Sequence, residues 1–124
     1  MKKALVVDDS EFMGRLVEIF LHKHGWEVDV CNGPFGVLNR VREYLPDVLL
    51  LDLNMPGLSG DKLAEILKER MNSYNIKTIS FSTEDEKVQK GLVEKGLIDG
   101  YFVKGSTFNG LCEEIDRVLY EEAA

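Results

Sequence analysis

Two carboxylate groups stand directly behind apolar runs. Asp52 follows Val48-Leu49-Leu50-Leu51, and Asp8-Asp9 follow Ala4-Leu5-Val6-Val7. Unbroken aliphatic runs of this length predict strands buried on both faces, the kind found in parallel sheets. Leu53-Asn54-Met55-Pro56-Gly57 comes next after Asp52, and its Pro and Gly turn the strand into a loop. A carboxylate at the C-terminal tip of a central strand lies on the edge where open α/β sheets place their ligands. Two tips that both deliver carboxylates suggest a site for a hard cation. Two further apolar runs, residues 79–81 and 101–103, end on Ser82 and Lys104. Acidic residues also end strands simply as turn formers, but that leaves the polar groups on the other two tips unexplained.

The chemistry follows from these types. Carboxylate oxygens suit Mg²⁺, which keeps several waters and leaves positions for a phosphoryl oxygen. Neighbouring acids raise one another's pKa, and a divalent cation or Lys104 relieves that. Asp52 can act as a nucleophile on phosphorus and form an aspartyl-phosphate. Lys104 and Ser82 would stabilise charge on the equatorial oxygens.

Elements must bring these residues to one edge. Strand-like runs at 4–7, 28–30, 48–51, 79–81 and 101–103 alternate with helical patterns. Met13, Leu16, Val17, Phe20 and Leu21 repeat at helical spacing behind Ser10, a candidate N-cap, and Gly25 ends that helix. Val37, Leu38, Val41 and Leu45 predict a second helix, with Pro34 in its first turn and Pro46 beyond its end. Leu63, Ile66 and Leu67 follow Ser59 as a cap. Val88 and Leu92 mark a fourth helix stopped by Gly96. Leu111, Ile115, Val118 and Leu119 mark a fifth, capped by Thr107. The result is an α/β chain of (βα)5 type. Right-handed crossovers make it doubly wound, a five-stranded parallel sheet with helices on both faces. All tips then share one edge.

Composition narrows the function. A chain of 124 residues is expected to form a single domain, residues 1–124, and it ends just after the fifth helix, so no effector domain is expected. The net charge of −7 argues against nucleic acid as a partner and favours cations or basic surfaces. No apolar run reaches about 18 residues, so no membrane span is expected. The run behind Met1-Lys2-Lys3 ends at Asp8, too early for a signal peptide. Cys31 and Cys112 are far apart and form no CxxC, which suits two reduced thiols in a cytoplasmic protein.

The chain resembles the response-regulator receiver domains of two-component signalling, the CheY-like family. The residues that carry the resemblance are Val6-Val7-Asp8-Asp9-Ser10, Leu50-Leu51-Asp52-Leu53-Asn54-Met55-Pro56-Gly57, Ser82 and Tyr101-Phe102-Val103-Lys104. They span nearly the whole chain at the family's separations. The resemblance implies the flavodoxin-like strand order 2-1-3-4-5. It implies that Asp52 accepts a phosphoryl group from a sensor histidine kinase or phosphotransfer protein. Asp9, Asp52 and the backbone carbonyl of Asn54 would bind Mg²⁺, with Asp8 acting through water. Lys104 matches the phosphate-binding lysine, and Ser82 and Tyr101 match the switch pair. A downstream protein would read the surface of the fourth helix, fifth strand and fifth helix. Such a chain catalyses its own phosphorylation and dephosphorylation without an external turnover substrate, as a monomer or weak dimer. Three residues depart from the family's pattern: Gly105 stands where proline is usual, Ser106 where an apolar residue is common, and Thr83 where Ala or Gly is usual.

Rival chemistries fit less well. A haloacid-dehalogenase-like phosphatase needs a second acid two residues after its aspartate, and here that position is Asn54. Gly57-Leu58-Ser59-Gly60 misses the spacing of a nucleophile elbow, and no phosphate-binding glycine loop is present. His22 and His24, two apart on a helix, face different ways and make a poor metal pair. A rival of another class is an interaction module that keeps the fold and dispenses with phosphorylation. The intact acidic cluster and Lys104 argue against it.

Overall fold

The apolar runs become the strands of one sheet. The structure, a computed structural model, describes residues 2–105 and 107–121. In chain order the elements are β1 (Lys3–Val7), α1 (Glu11–Lys23), β2 (Glu27–Cys31), α2 (Val37–Tyr44), β3 (Val48–Leu51), α3 (Gly60–Met71), a 3-10 turn (Asn72–Tyr74), β4 (Lys77–Ser82), α4 (Glu86–Glu94), β5 (Gly100–Val103) and α5 (Asn109–Tyr120). The five strands lie in the order β2-β1-β3-β4-β5, and every pairing is parallel. This is the expected doubly wound (βα)5 architecture. Among the described residues no helix is long and apolar enough to cross a membrane.

Strand alternation divides the core in two. Leu5, Val7, Leu49 and Leu51 join Val37, Val41, Leu63, Leu67 and Leu92 on one face. Ala4, Val6, Val48 and Leu50 join Val17, Leu21, Leu111 and Ile115 on the other. Each fully buried aliphatic of this kind contributes about 1.5–3 kcal/mol. β3, with both faces covered, therefore carries no polar residue until its end. All four residues of β3 are buried, and the first polar side chain after them is Asp52.

Register sets the relative height of the tips. Val7 pairs with Leu51, so Asp8 and Asp52 emerge level with each other. Leu51 pairs with Ser80 and Ser82 with Val103, so Ser82 and Lys104 lie further along. The long lysine side chain must reach back to meet the acids.

Several helix boundaries differ from the sequence expectation. α2 begins at Val37 with Gly36 as its N-cap, so Pro34 lies ahead of the helix instead of in its first turn. Leu45 is not a helical core residue. It is the C-cap at φ 52°, and it is exposed. α5 is capped by Phe108, not Thr107. Ser59 stands at the N-cap of α3, but its side chain makes no capping hydrogen bond. Ser10 does cap α1, accepting from the amide of Met13 at 3.2 Å. On α4 the inward residues are Gln89 and Leu92, while Val88 is 48% exposed.

Candidate functional site

Backbone hydrogen bonds extend the sheet one residue past the strands. The Asp8 amide donates to the Cys31 carbonyl at 3.0 Å, and the Asp52 amide to the Val7 carbonyl at 2.9 Å. Both acids are thus held in place by the ladder. The N-terminus of α3 closes over Asp52: a side chain on Gly60 would collide with the Asp52 carbonyl and the Leu53 Cα. Glycine at 60 is what lets the helix start so near the tip.

Asp8, Asp9 and Asp52 each place a carboxylate oxygen within 4.8 Å of the others. Asp8 is fully buried and Asp52 nearly so, while Asp9 is exposed. Asp8 Oδ1 accepts from the Ser10 amide at 2.9 Å. Lys104 Nζ reaches back to donate to Asp8 Oδ2 at 2.6 Å and lies 3.6 Å from Asp52 Oδ1. It also sits 5.3 Å from the centre of the Phe81 ring, a cation–π distance. Burial pushes the Asp52 carboxyl up to about 6. The Asn54 amide, donating to Oδ1 at 3.2 Å, and the Lys104 charge oppose the rise, while the charges of Asp8 and Asp9 add to it. Three carboxylates therefore cluster where one ammonium pairs with only two of them, Asp8 and Asp52. That donor set, all hard oxygen and in excess of negative charge, fits a divalent cation such as Mg²⁺.

The β4 side is neutral. Ser82 Oγ accepts from the Glu84 amide at 3.1 Å and from Asn54 Nδ2 at 3.3 Å. A hydroxyl accepts two bonds and donates one, so both acceptor positions of Ser82 are taken and its proton remains to be donated. Tyr101 is half-buried on β5, and its hydroxyl donates to Glu86 Oε1 at 2.8 Å. That bond to Glu86, ahead of desolvation, raises the phenol pKa. Gly105 has φ +100°, which proline cannot adopt, so the departure from the family pattern brings its own backbone path. Thr83 is exposed, and Ser106 lies outside the described residues.

Asp8, Asp9, Asp52, Asn54, Ser82 and Lys104 thus meet at one edge, and Tyr101 stands to the side on Glu86. The second strand adds Asn32, whose Nδ2 donates to the Asp8 carbonyl at 3.4 Å. His22 and His24 are exposed, and Cys31 and Cys112 are free thiols. The sequence reading missed Gln89, the link from Asn54 Nδ2 to Ser82, and Glu86 as the partner of Tyr101. A glutamine three residues before Leu92, on the inner stripe of α4, was the available signal for the first.

A family model for the response regulator receiver domain matches residues 4–116. PilH of Pseudomonas aeruginosa is 32% identical over 120 residues, covering 96% of this chain and 98% of that protein. The chemotaxis protein CheY of Halobacterium salinarum is 29% identical over 118 residues, covering 95% of this chain and 97% of that one. A protein-glutamate methylesterase/protein-glutamine glutaminase of the same organism is 32% identical over 111 residues, but the match spans only 32% of its length. Among solved structures, the response regulator TrrA of Thermotoga maritima, in complex with Mg²⁺-BeF, superposes with a TM-score of 0.84 at 28% identity, covering 96% of this chain and all (100%) of that one. With the acidic tips, the lysine that reaches back to them and the 2-1-3-4-5 sheet all in agreement, the chain belongs to the response regulator receiver domain family of two-component signalling.

Proposed function

We infer that this domain accepts a phosphoryl group on Asp52 from a sensor histidine kinase or phosphotransfer protein and passes the signal to a separate protein. The carrying observation is the buried Asp52 carboxylate, level with Asp8 and 3.6 Å from Lys104. An ionised Asp52 oxygen attacks phosphorus while the bond from phosphorus to the donor's imidazole nitrogen breaks. The electron pair of that bond stays with the imidazole, and Asp52 has no proton to lose. The Asn54 amide and Lys104 orient the carboxylate and offset its charge. Asp9, Asp52 and the Asn54 carbonyl, with Asp8 through water, would hold Mg²⁺, which supplies positive charge beside the transferring group.

Ser82 would donate its remaining proton to a phosphoryl oxygen. That draws residues 83–86 toward Asp52 and frees Tyr101 to leave Glu86 and turn inward. Tyr has an apolar body and a polar tip, so both positions are tolerable. The face of α4, β5 and α5 then changes shape for its reader. The matches to CheY and PilH along nearly their whole length support a role as a response regulator.

Incubation with acetyl phosphate and Mg²⁺ tests the reading. One phosphoryl group is expected on Asp52, labile to hydroxylamine and lost in Asp52→Asn. An adduct mapped to Ser59, Ser82 or a histidine overturns it.

A further inference from the structure

Gln89 is a polar side chain with no solvent exposure on the inner face of α4. A buried primary amide needs partners for its acceptor and its two donor hydrogens. Gln89 Oε1 accepts from Ser80 Oγ at 2.6 Å. Its Nε2 donates to the Ser82 carbonyl at 3.2 Å and to the Glu84 carbonyl at 2.9 Å. Ser80 is itself fully buried in β4. One side chain therefore ties α4 to the strand and to the loop that leaves it. The Ser82 carbonyl takes a second bond, from the Lys104 amide at 2.8 Å. Gln89 and the backbone that carries Lys104 thus converge on one oxygen of the switch serine.

Geometry gives the link a mechanical meaning. If residues 83–85 moved toward Asp52 alone, the Gln89 bond to the Glu84 carbonyl would break and leave one hydrogen of a buried amide unpaired. If α4 moved with the loop, both bonds would survive. A core glutamine placed only to satisfy Ser80 would account for Oε1. It would not account for two donors that both aim at the segment carrying Ser82.

We propose that Gln89 is a positioning residue that locks the Ser82 loop to α4 as one body, so that displacement of Ser82 reaches the face where Glu86 holds Tyr101. The proposal rests on the phosphoryl-accepting reading above. It makes the amide of Gln89 the joint between the site and the surface offered to a partner. Glu84 is half-buried and its bond to Gln89 only part-buried, and the Ser82 carbonyl keeps its Lys104 bond, so apolar replacement of the amide and of Ser80 leaves no fully buried carbonyl without a partner.

Amide chemical shifts decide it, recorded with and without beryllofluoride plus Mg²⁺ for the wild type, Ser80→Ala, and the double variant Ser80→Ala with Gln89→Met. In all three, changes at Asp9, Asp52 and Lys104 are expected. In the double variant, changes across α4 and at Tyr101 shrink by about fivefold or more, the lower end of ordinary coupling between sites. Ser80→Ala loses the same core bond but keeps both donors to the loop, so it retains the α4 changes. A double variant that still moves α4 overturns the proposal, as does a Ser80→Ala variant that loses α4 equally, because packing alone would then explain the effect. Should the double variant not fold, solvent exchange of the wild-type Gln89 side-chain amide serves instead. Protection in both states supports the joint, and protection lost on activation overturns it. A wild type with no change at Asp52 removes the phosphorylation reading and this inference together, whereas wild-type changes that reach α4 regardless of Gln89 remove the inference alone.

Discussion

The β1–β3 side of the site and the β4–β5 side are built on opposite terms. On the first, the carboxylates of Asp8, Asp9 and Asp52 crowd together, one lysine pairs with two of them, and burial weakens the Asp52 acid to about 6. On the second, Ser80, Ser82, Gln89 and the Glu84 backbone form a neutral network in which the buried amide has every partner it needs. The charged side holds an imbalance that an incoming cation or phosphoryl group resolves or redistributes. The neutral side holds no imbalance, so it moves as a unit or not at all. The proposed chemistry and the proposed relay thus fall on adjacent strands, set apart by electrostatics rather than by distance.

The sharpest way to break this contrast is to remove the lysine. In Lys104→Met the buried Asp8 carboxylate loses its 2.6 Å partner, and loss of one member of a buried pair costs about 3–5 kcal/mol. Urea unfolding near neutral pH without divalent ions should show a loss of that size, partly recovered with Mg²⁺. A loss under about 1 kcal/mol would mean that the acids are better solvated than their burial implies.

Cation affinity comes next. Asp9→Ala and Asp52→Asn should each weaken Mg²⁺ binding by about tenfold or more, roughly 1.4 kcal/mol, while Gln89→Met leaves it unchanged. Calorimetry reads this directly. Equal affinity in all variants would sink the assignment of the charged side as the cation site.

Acidity gives a smaller effect with a definite sign. The Asp52 carboxyl is raised from 3.8 to about 6 in the fold, so the folded state takes up its proton more readily than the unfolded chain. The stability this gives is complete below about pH 4 and is lost as pH rises through about 6. Above that range the ionised Asp52 is a net cost. Asp52→Asn should therefore stabilise the metal-free protein by about 2 kcal/mol near neutral pH, and the gain should fade on acidification. Thermal unfolding across that range measures it. Substitutions in the Gln89 network should show no such pH slope.

The smallest effect belongs to the exposed rim. Tyr101→Phe deletes the bond to Glu86, which at an exposed site is worth about 0.5 kcal/mol. Stability should hardly change, yet the α4 shifts of the resting protein should move toward those of the beryllofluoride form. Shifts that stay put would show that Glu86 does not hold Tyr101 outward.

The acids were legible because no buried charge is tolerated within a covered parallel strand, so the first carboxylate marks its end. After Val48-Leu49-Leu50-Leu51, the first polar residue marks the tip, and Asp52 stands there. The same reasoning located Asp8 and Lys104, whereas Ser82 ends a strand that already carries the buried Ser80. Helix starts were less legible, because caps depend on backbone geometry: Gly36 and Phe108 took the positions expected of residues near Pro34 and of Thr107. On α4, Val88 and Gln89 are adjacent, and hydrophobicity favoured the wrong one. The inward position went to Gln89 because Ser80 and two loop carbonyls were there to satisfy it.

The sequence by itself determined the alternation of strands and helices and the polar residues at the strand tips, since both follow from apolar periodicity and from the cost of burying charge. Only the tertiary structure decided which tips stand level, which carboxylate Lys104 reaches first, and that Gln89 joins β4, its loop and α4. Those depend on strand register and on hydrogen bonds between residues far apart in the chain, such as the 2.6 Å contact between Asp8 and Lys104, which no local pattern encodes.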